Sequence, residues 1–100
     1  SPDLKNNIDN LSYQKNQLEI EKSELEDRYK LLLEEHSVLS KKIEEIQNTD
    51  GQCESYGYAD IDTAKHQAIQ NLLNYKHLIF SLLISMVPQL SQLVQTIFAL

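Results

Sequence analysis

Apolar and polar positions divide this chain into a periodic half and a nearly continuous apolar half. Leu4, Leu11, Leu18, Leu25, Leu32, Leu39 and Ile46 recur at a constant interval of one heptad. Ile8, Lys15, Lys22, Tyr29, His36 and Ile43 alternate with them in the 4-3 spacing of a coiled coil. Leucine occupies the d positions and a mixed set occupies a. A period of 3.5 rather than 3.6 residues predicts a left-handed supercoil with a second strand. No glycine or proline interrupts the pattern after Pro2, and Pro2-Asp3 suits a helix start. The spacing therefore predicts a dimeric coiled coil over residues 3–47, roughly 64 Å long at about 1.5 Å per residue.

The core side chains bear on the number and direction of strands. The expected dimer core is Leu4, Ile8, Leu11, Leu18, Leu25, Tyr29, Leu32, His36, Leu39, Ile43 and Ile46. Leucine at d favours two strands. Lys15 and Lys22 at a favour two strands as well, because their stems can lie on the core while the ammonium reaches water. Parallel chains stack the polar a layers together, so a parallel homodimer is expected. The flanking charges do not reinforce it: Glu21 would face Glu26 of the second strand, and Arg28 would face Leu33. A heterodimer whose partner carries Glu opposite the two lysines is the competing arrangement. His36 reads as a polar layer that marks register, with a pH switch as its sharper alternative. Leu31, Leu33 and Val38 lie outside the a and d positions and form a candidate docking surface for an apolar segment.

The periodicity stops after Ile46. Gln47-Asn48-Thr49-Asp50-Gly51 is turn chemistry, and Gly57 lies between Tyr56 and Tyr58. A linker loop over 48–60 follows, able to span about 40 Å and to let the chain reverse onto the rod. The tyrosines read as anchors of that loop, or as a docking or modification site.

Asp60 or Asp62 then suits the start of a new helix. Over 61–100, Gln67, Gln70, Asn71, Asn74, His77, Ser81, Ser85, Gln89, Gln92, Gln95 and Thr96 follow one another along a single polar stripe. The rest is apolar. Leu72, Leu73, Ile79, Phe80, Leu83, Met86, Val87, Leu90, Val94 and Ile97 are the candidates for bundle formation or partner docking. Pro88 removes a backbone donor and clashes with the Ile84 carbonyl. The expectation is a break there into two helices, with a kinked single helix as the alternative. The expected fold is all-α: a parallel two-stranded coiled coil, a loop, and a C-terminal helical bundle formed in the dimer.

Charge sharpens this division. The chain has formal net charge -6, and the residues from His77 to Leu100 include no Asp, Glu, Lys or Arg. Nucleic acid is not an expected partner, because phosphates need clustered Lys and Arg. Leu78–Leu100 is long enough to span a bilayer, but its serines, glutamines and Pro88 suit a bundle better than lipid. A membrane anchor over 78–100 is kept as an alternative. Cys53 is the single cysteine, which points to a reduced compartment, and no N-terminal signal peptide is read. The abrupt ends read as those of a piece of a longer protein.

Catalytic chemistry is not expected. No phosphate-binding glycine loop or nucleophile motif occurs, and Glu34-Glu35 and Glu44-Glu45 lie on the outside of a rod without a cleft to shift their pKa values. Asp62 and His66 stand one helical turn apart, which is too few ligands for a metal site. No cofactor or metal is expected.

The rod resembles the coiled-coil segments of long scaffold and tether proteins in general. The plan of a coil followed by a helical bundle is similar to that of the microtubule end-binding family, without its aromatic signature. Tyr75-Lys76-His77-Leu78-Ile79-Phe80 followed by Val87-Pro88-Gln89-Leu90 resembles the GRIP module of golgins. That resemblance implies two short dimerising helices and a small GTPase as partner. Asn74 stands where that module has its important tyrosine, so no functional residue is carried over. The expected function is a non-enzymatic dimerisation and protein-interaction module of a cytoskeletal, spindle-pole or organelle scaffold. Its expected partners are itself and another protein met through the C-terminal helices. Its expected location is the cytoplasm, at the cytoskeleton or an organelle surface.

Overall fold

The computed structural model describes residues 2–48 and 58–100. Two helices account for all of them but Asn48 and Leu100: α1 over Pro2–Gln47 and α2 over Tyr58–Ala99. No strand occurs among the described residues, so the chain is all-α. Most of the expected 48–60 loop, with Cys53 and Tyr56, lies outside the described residues.

α1 begins at the only proline of its segment and carries Asp3 in its first turn, where negative charge suits the helix dipole. Its last turn has no basic residue, and Glu44 and Glu45 lie close to that end. The Asn48 amide donates to the Glu44 carbonyl at 3.0 Å and closes the final turn. α2 begins at Tyr58, so Asp60 and Asp62 fall inside the helix rather than before it.

α2 also corrects the expectation of a break at Pro88: it is one α-helix of 42 residues with Pro88 in its interior. A proline inside a helix costs about 3 kcal/mol through its missing donor and its ring clash. Packing on both sides of it opposes that cost. Leu83 and Met86 are buried before Pro88, and Leu90, Leu93 and Ile97 are half-buried after it. Gln89 Nε2 donates to the Ser85 carbonyl at 3.3 Å in the same turn.

The chain falls into two compact units, each built from a piece of both helices. Unit 2 is Leu32–Leu82. Its core is Leu39, Ile43 and Ile79, the last only 2% exposed. No residue of a lone helix is hidden to that degree, so the two helical pieces cover each other. Lys65 Nζ donates to the Gln47 carbonyl at 3.5 Å, and the His36 ring centroid lies 6.1 Å from that of Phe80. Later residues of α2 thus meet earlier residues of α1, and the two pieces run antiparallel in this unit. The Lys65 ammonium also brings positive charge to the end of α1, which its own last turn lacks.

Unit 1 is Ser1–Leu31 with Leu83–Leu100. Leu83 and Met86 are its buried residues, and Leu18, Leu25, Tyr29, Leu90 and Ile97 are half-buried. Full burial of such side chains contributes about 1.5–3 kcal/mol each, and half-burial proportionately less. Both units are therefore held by a narrow apolar seam.

Candidate interaction surface

Within the described residues the α1 seam is not uniform. In unit 2 its positions are covered: Leu39 and Ile43 are buried, while Leu32, His36 and Ile46 are half-buried. In unit 1, Leu18, Leu25 and Tyr29 are half-buried, but Leu4, Ile8 and Leu11 are 61%, 55% and 44% exposed. Lys22 lies half-buried on the seam and pairs with Glu26 one turn along at 3.3 Å, a surface ion pair worth at most about 0.5 kcal/mol. The seam of α1 is thus an address for α2 within the chain itself. Leu31, Leu33 and Val38, singled out for docking, remain exposed in the lone chain.

The counterpart on α2 is a second 4-3 repeat, which the sequence reading did not identify. Ile69, Leu72, Lys76, Ile79, Leu83, Met86, Leu90, Leu93 and Ile97 follow one another in steps of three and four, and all are buried or half-buried. Its signal was present in the residues. It was masked because Leu73, Leu78, Phe80, Leu82, Ile84, Val87 and Val94 beside it are apolar as well, so the polar stripe bounds a broad apolar face rather than outlining the repeat.

That same feature leaves α2 with apolar side chains that the α1 seam does not cover. In unit 2, Tyr75, Leu78, Phe80 and Leu82 are exposed. In unit 1, Ile84, Val87 and Phe98 are exposed, the last at 85%. Leu73 and Val94 are half-buried at the seam margins. The polar residues of α2 largely satisfy one another along the helix. Gln67 Nε2 donates to Asn71 Oδ1 at 3.0 Å, Gln70 Nε2 to Asn74 Oδ1 at 3.3 Å, and Thr96 Oγ1 to the Gln92 carbonyl at 2.8 Å. Such i,i+4 pairs support the helix locally and leave its apolar sides as the unpartnered feature.

His36 sits in a shallow groove of unit 2 with Lys76, His77, Phe80 and Ser81. Its ring meets Phe80 at a tilt of 38°, and Ser40 Oγ donates to the His36 carbonyl at 2.9 Å. In unit 2 its ring contact is therefore with Phe80 of α2, and the His77 imidazole lines the same groove. Asp62 and His66 share a surface groove with Thr63, Lys65 and Ile69. Among the described residues no group of three or more His, Cys, Asp or Glu side chains comes together to hold a metal ion.

α2 also meets the length and composition needed to cross a bilayer: an 18-residue stretch within Asp62–Ala99 has a mean hydropathy of 1.5, and 17% of that stretch is buried. No protein-family model, curated protein or solved structure matches the chain. The likenesses to scaffold coils and to the golgin module rest on the residues quoted for them alone.

Proposed function

We propose that this chain is a non-enzymatic protein-interaction module that works by self-association, as an element of a coiled-coil scaffold. One observation carries the reading: large apolar side chains of α2 stay exposed after the α1 seam has been used. A face of that size is costly to leave in water and is the usual mark of a protein or membrane contact. The charged exterior of α1 keeps the chain soluble while the uncharged side of α2 supplies the contact.

The arrangement keeps α1 and α2 paired within each unit and brings chains together through α2. A parallel zip of two α1 helices over 3–47 competes with it. That zip needs Leu39 and Ile43, both already buried within one chain, so a second α1 would have to displace α2 there. The exposed Leu4, Ile8 and Leu11 are the part of the seam a parallel partner could take without displacement.

A membrane reading has its own support in the hydropathy of α2. Ser81, Ser85, Gln89, Gln92 and Gln95 would each enter the hydrocarbon, which disfavours it. Sedimentation of the chain in detergent-free buffer, beside flotation with neutral phosphatidylcholine liposomes, separates the two. The proposal predicts a soluble helical oligomer that stays at the bottom of the flotation gradient. Quantitative flotation, with aggregation in the absence of lipid, would transfer the function to the membrane.

A further inference from the structure

We infer that the occupant of the outer face of α2 in unit 1 is the same face of a second copy, packed antiparallel about a twofold axis level with Gln89. The inference rests on the self-association proposed above and specifies its geometry. Ile84, Val87, Ser91, Val94 and Phe98 follow one another in steps of three and four, so they share one face of α2 beside the buried seam. Ile84, Val87 and Phe98 are exposed and Val94 is half-buried.

Charge selects the occupant. No Asp, Glu, Lys or Arg lies between His77 and Leu100, while the chain as a whole carries net charge -6. Around Ile84, Val87 and Ser91 an acidic or basic partner would find no countercharge from α2 and would lose hydration on docking. Where Val94 and Phe98 share a groove with Lys15, Glu19, Lys22 and Glu26 of α1, the opposite signs balance. A second copy presents an equally uncharged face, and its acidic residues belong mainly to α1. Two chains that would repel through α1 can thus approach through α2.

The order of side chains selects the direction. Antiparallel pairing sets Ile84 opposite Val94 and Val87 opposite Ser91, and the twofold axis repeats both layers. The small Ser91 then lies against a branched apolar side chain near the axis, where the helices come closest. Parallel pairing would instead stack Ser91 on Ser91 and Phe98 on Phe98, with two hydroxyls facing each other inside the contact. It would also align the helix dipoles, which antiparallel packing opposes.

Cross-linking tests the register. In a Cys53→Ser background, Ile84→Cys and Val94→Cys are made as separate chains, each examined alone and as an equimolar mixture under mild oxidation. The expected result is a disulfide-linked dimer in the mixture, at least tenfold above either variant alone, because like positions lie about ten residues, or roughly 15 Å, apart along the axis. Equal cross-linking of each variant with itself would overturn the antiparallel register. A dimer by sedimentation that forms no disulfide in any sample would overturn this interface while leaving self-association intact. A chain that stays monomeric would remove both.

Discussion

α1 and α2 carry the same 4-3 repeat in opposite surroundings. Around the α1 seam almost every position is charged or polar, so the seam is its main apolar feature and α2 covers much of it within each unit. Around the α2 seam a polar stripe occupies only part of the surface, many neighbouring positions are themselves apolar, and Tyr75, Leu78, Phe80, Ile84, Val87 and Phe98 are exposed. The difference teaches that a repeat decides where helices pair, while the residues beside the repeat decide whether pairing is the end of assembly. From Leu32 to Ile46 the α1 seam is closed by one neighbour, although Leu4, Ile8 and Leu11 stay exposed. The apolar sides of α2 are not closed in either unit.

The sharpest way to break this contrast is to place a charge in the seam. Ile79→Asp puts an unpaired carboxylate where 2% of the side chain is exposed. An uncompensated buried charge destabilises by about 3–5 kcal/mol, a large share of a small domain's stability. Circular dichroism should show a large loss of helix at room temperature. A variant that melts like the parent would mean that Ile79 is not a core residue. Next in size is Pro88→Ala. Restoring the backbone donor in a helix that is already continuous should stabilise by up to about 3 kcal/mol, read as a higher urea midpoint with little change in m. An unchanged or lower midpoint would show that the proline costs nothing here.

A smaller effect is expected from Phe80→Gln, which trims an exposed apolar ring but also removes the contact with His36 at 6.1 Å. It should cost about 0.5–1.5 kcal/mol on thermal unfolding, the range typical of an aromatic contact. Leu78→Gln, on an exposed position without such a contact, should change stability by less than about 0.5 kcal/mol. If the two variants melt alike, His36 and Phe80 do not support each other. The smallest effect belongs to the Lys22–Glu26 pair, whose side chains are 39% and 42% exposed. Alanine at both positions should move stability by at most about 0.5 kcal/mol and should erase any salt dependence of that pair.

Much of the architecture was legible in the residues, for definite reasons. The unbroken seam from Leu4 to Ile46 gave α1 to within a residue or two, because charged positions frame it. The all-helical character followed from scarce glycine and proline. Three things were less visible. The continuity of α2 through Pro88 depends on Leu83 and Met86 before it and Leu90 and Leu93 after it, which hold the turn against a local preference to end. The seam of α2 was hidden because Leu78, Leu82 and Ile84 are as apolar as Ile79 and Leu83. The use of the α1 seam by the chain's own second helix could not be read from the heptads, since leucine at d serves a partner in cis or in trans equally well.

The most direct test of the account is the solution mass of the Ile84→Glu, Val87→Glu double variant, determined by sedimentation equilibrium with helix content measured on the same sample. Both positions are exposed, so the paired helices of one chain should survive the change. The account predicts a helical monomer beside an oligomeric parent. An equally helical variant that keeps the parent's mass would contradict it, and would return the joining of chains to the seam of α1.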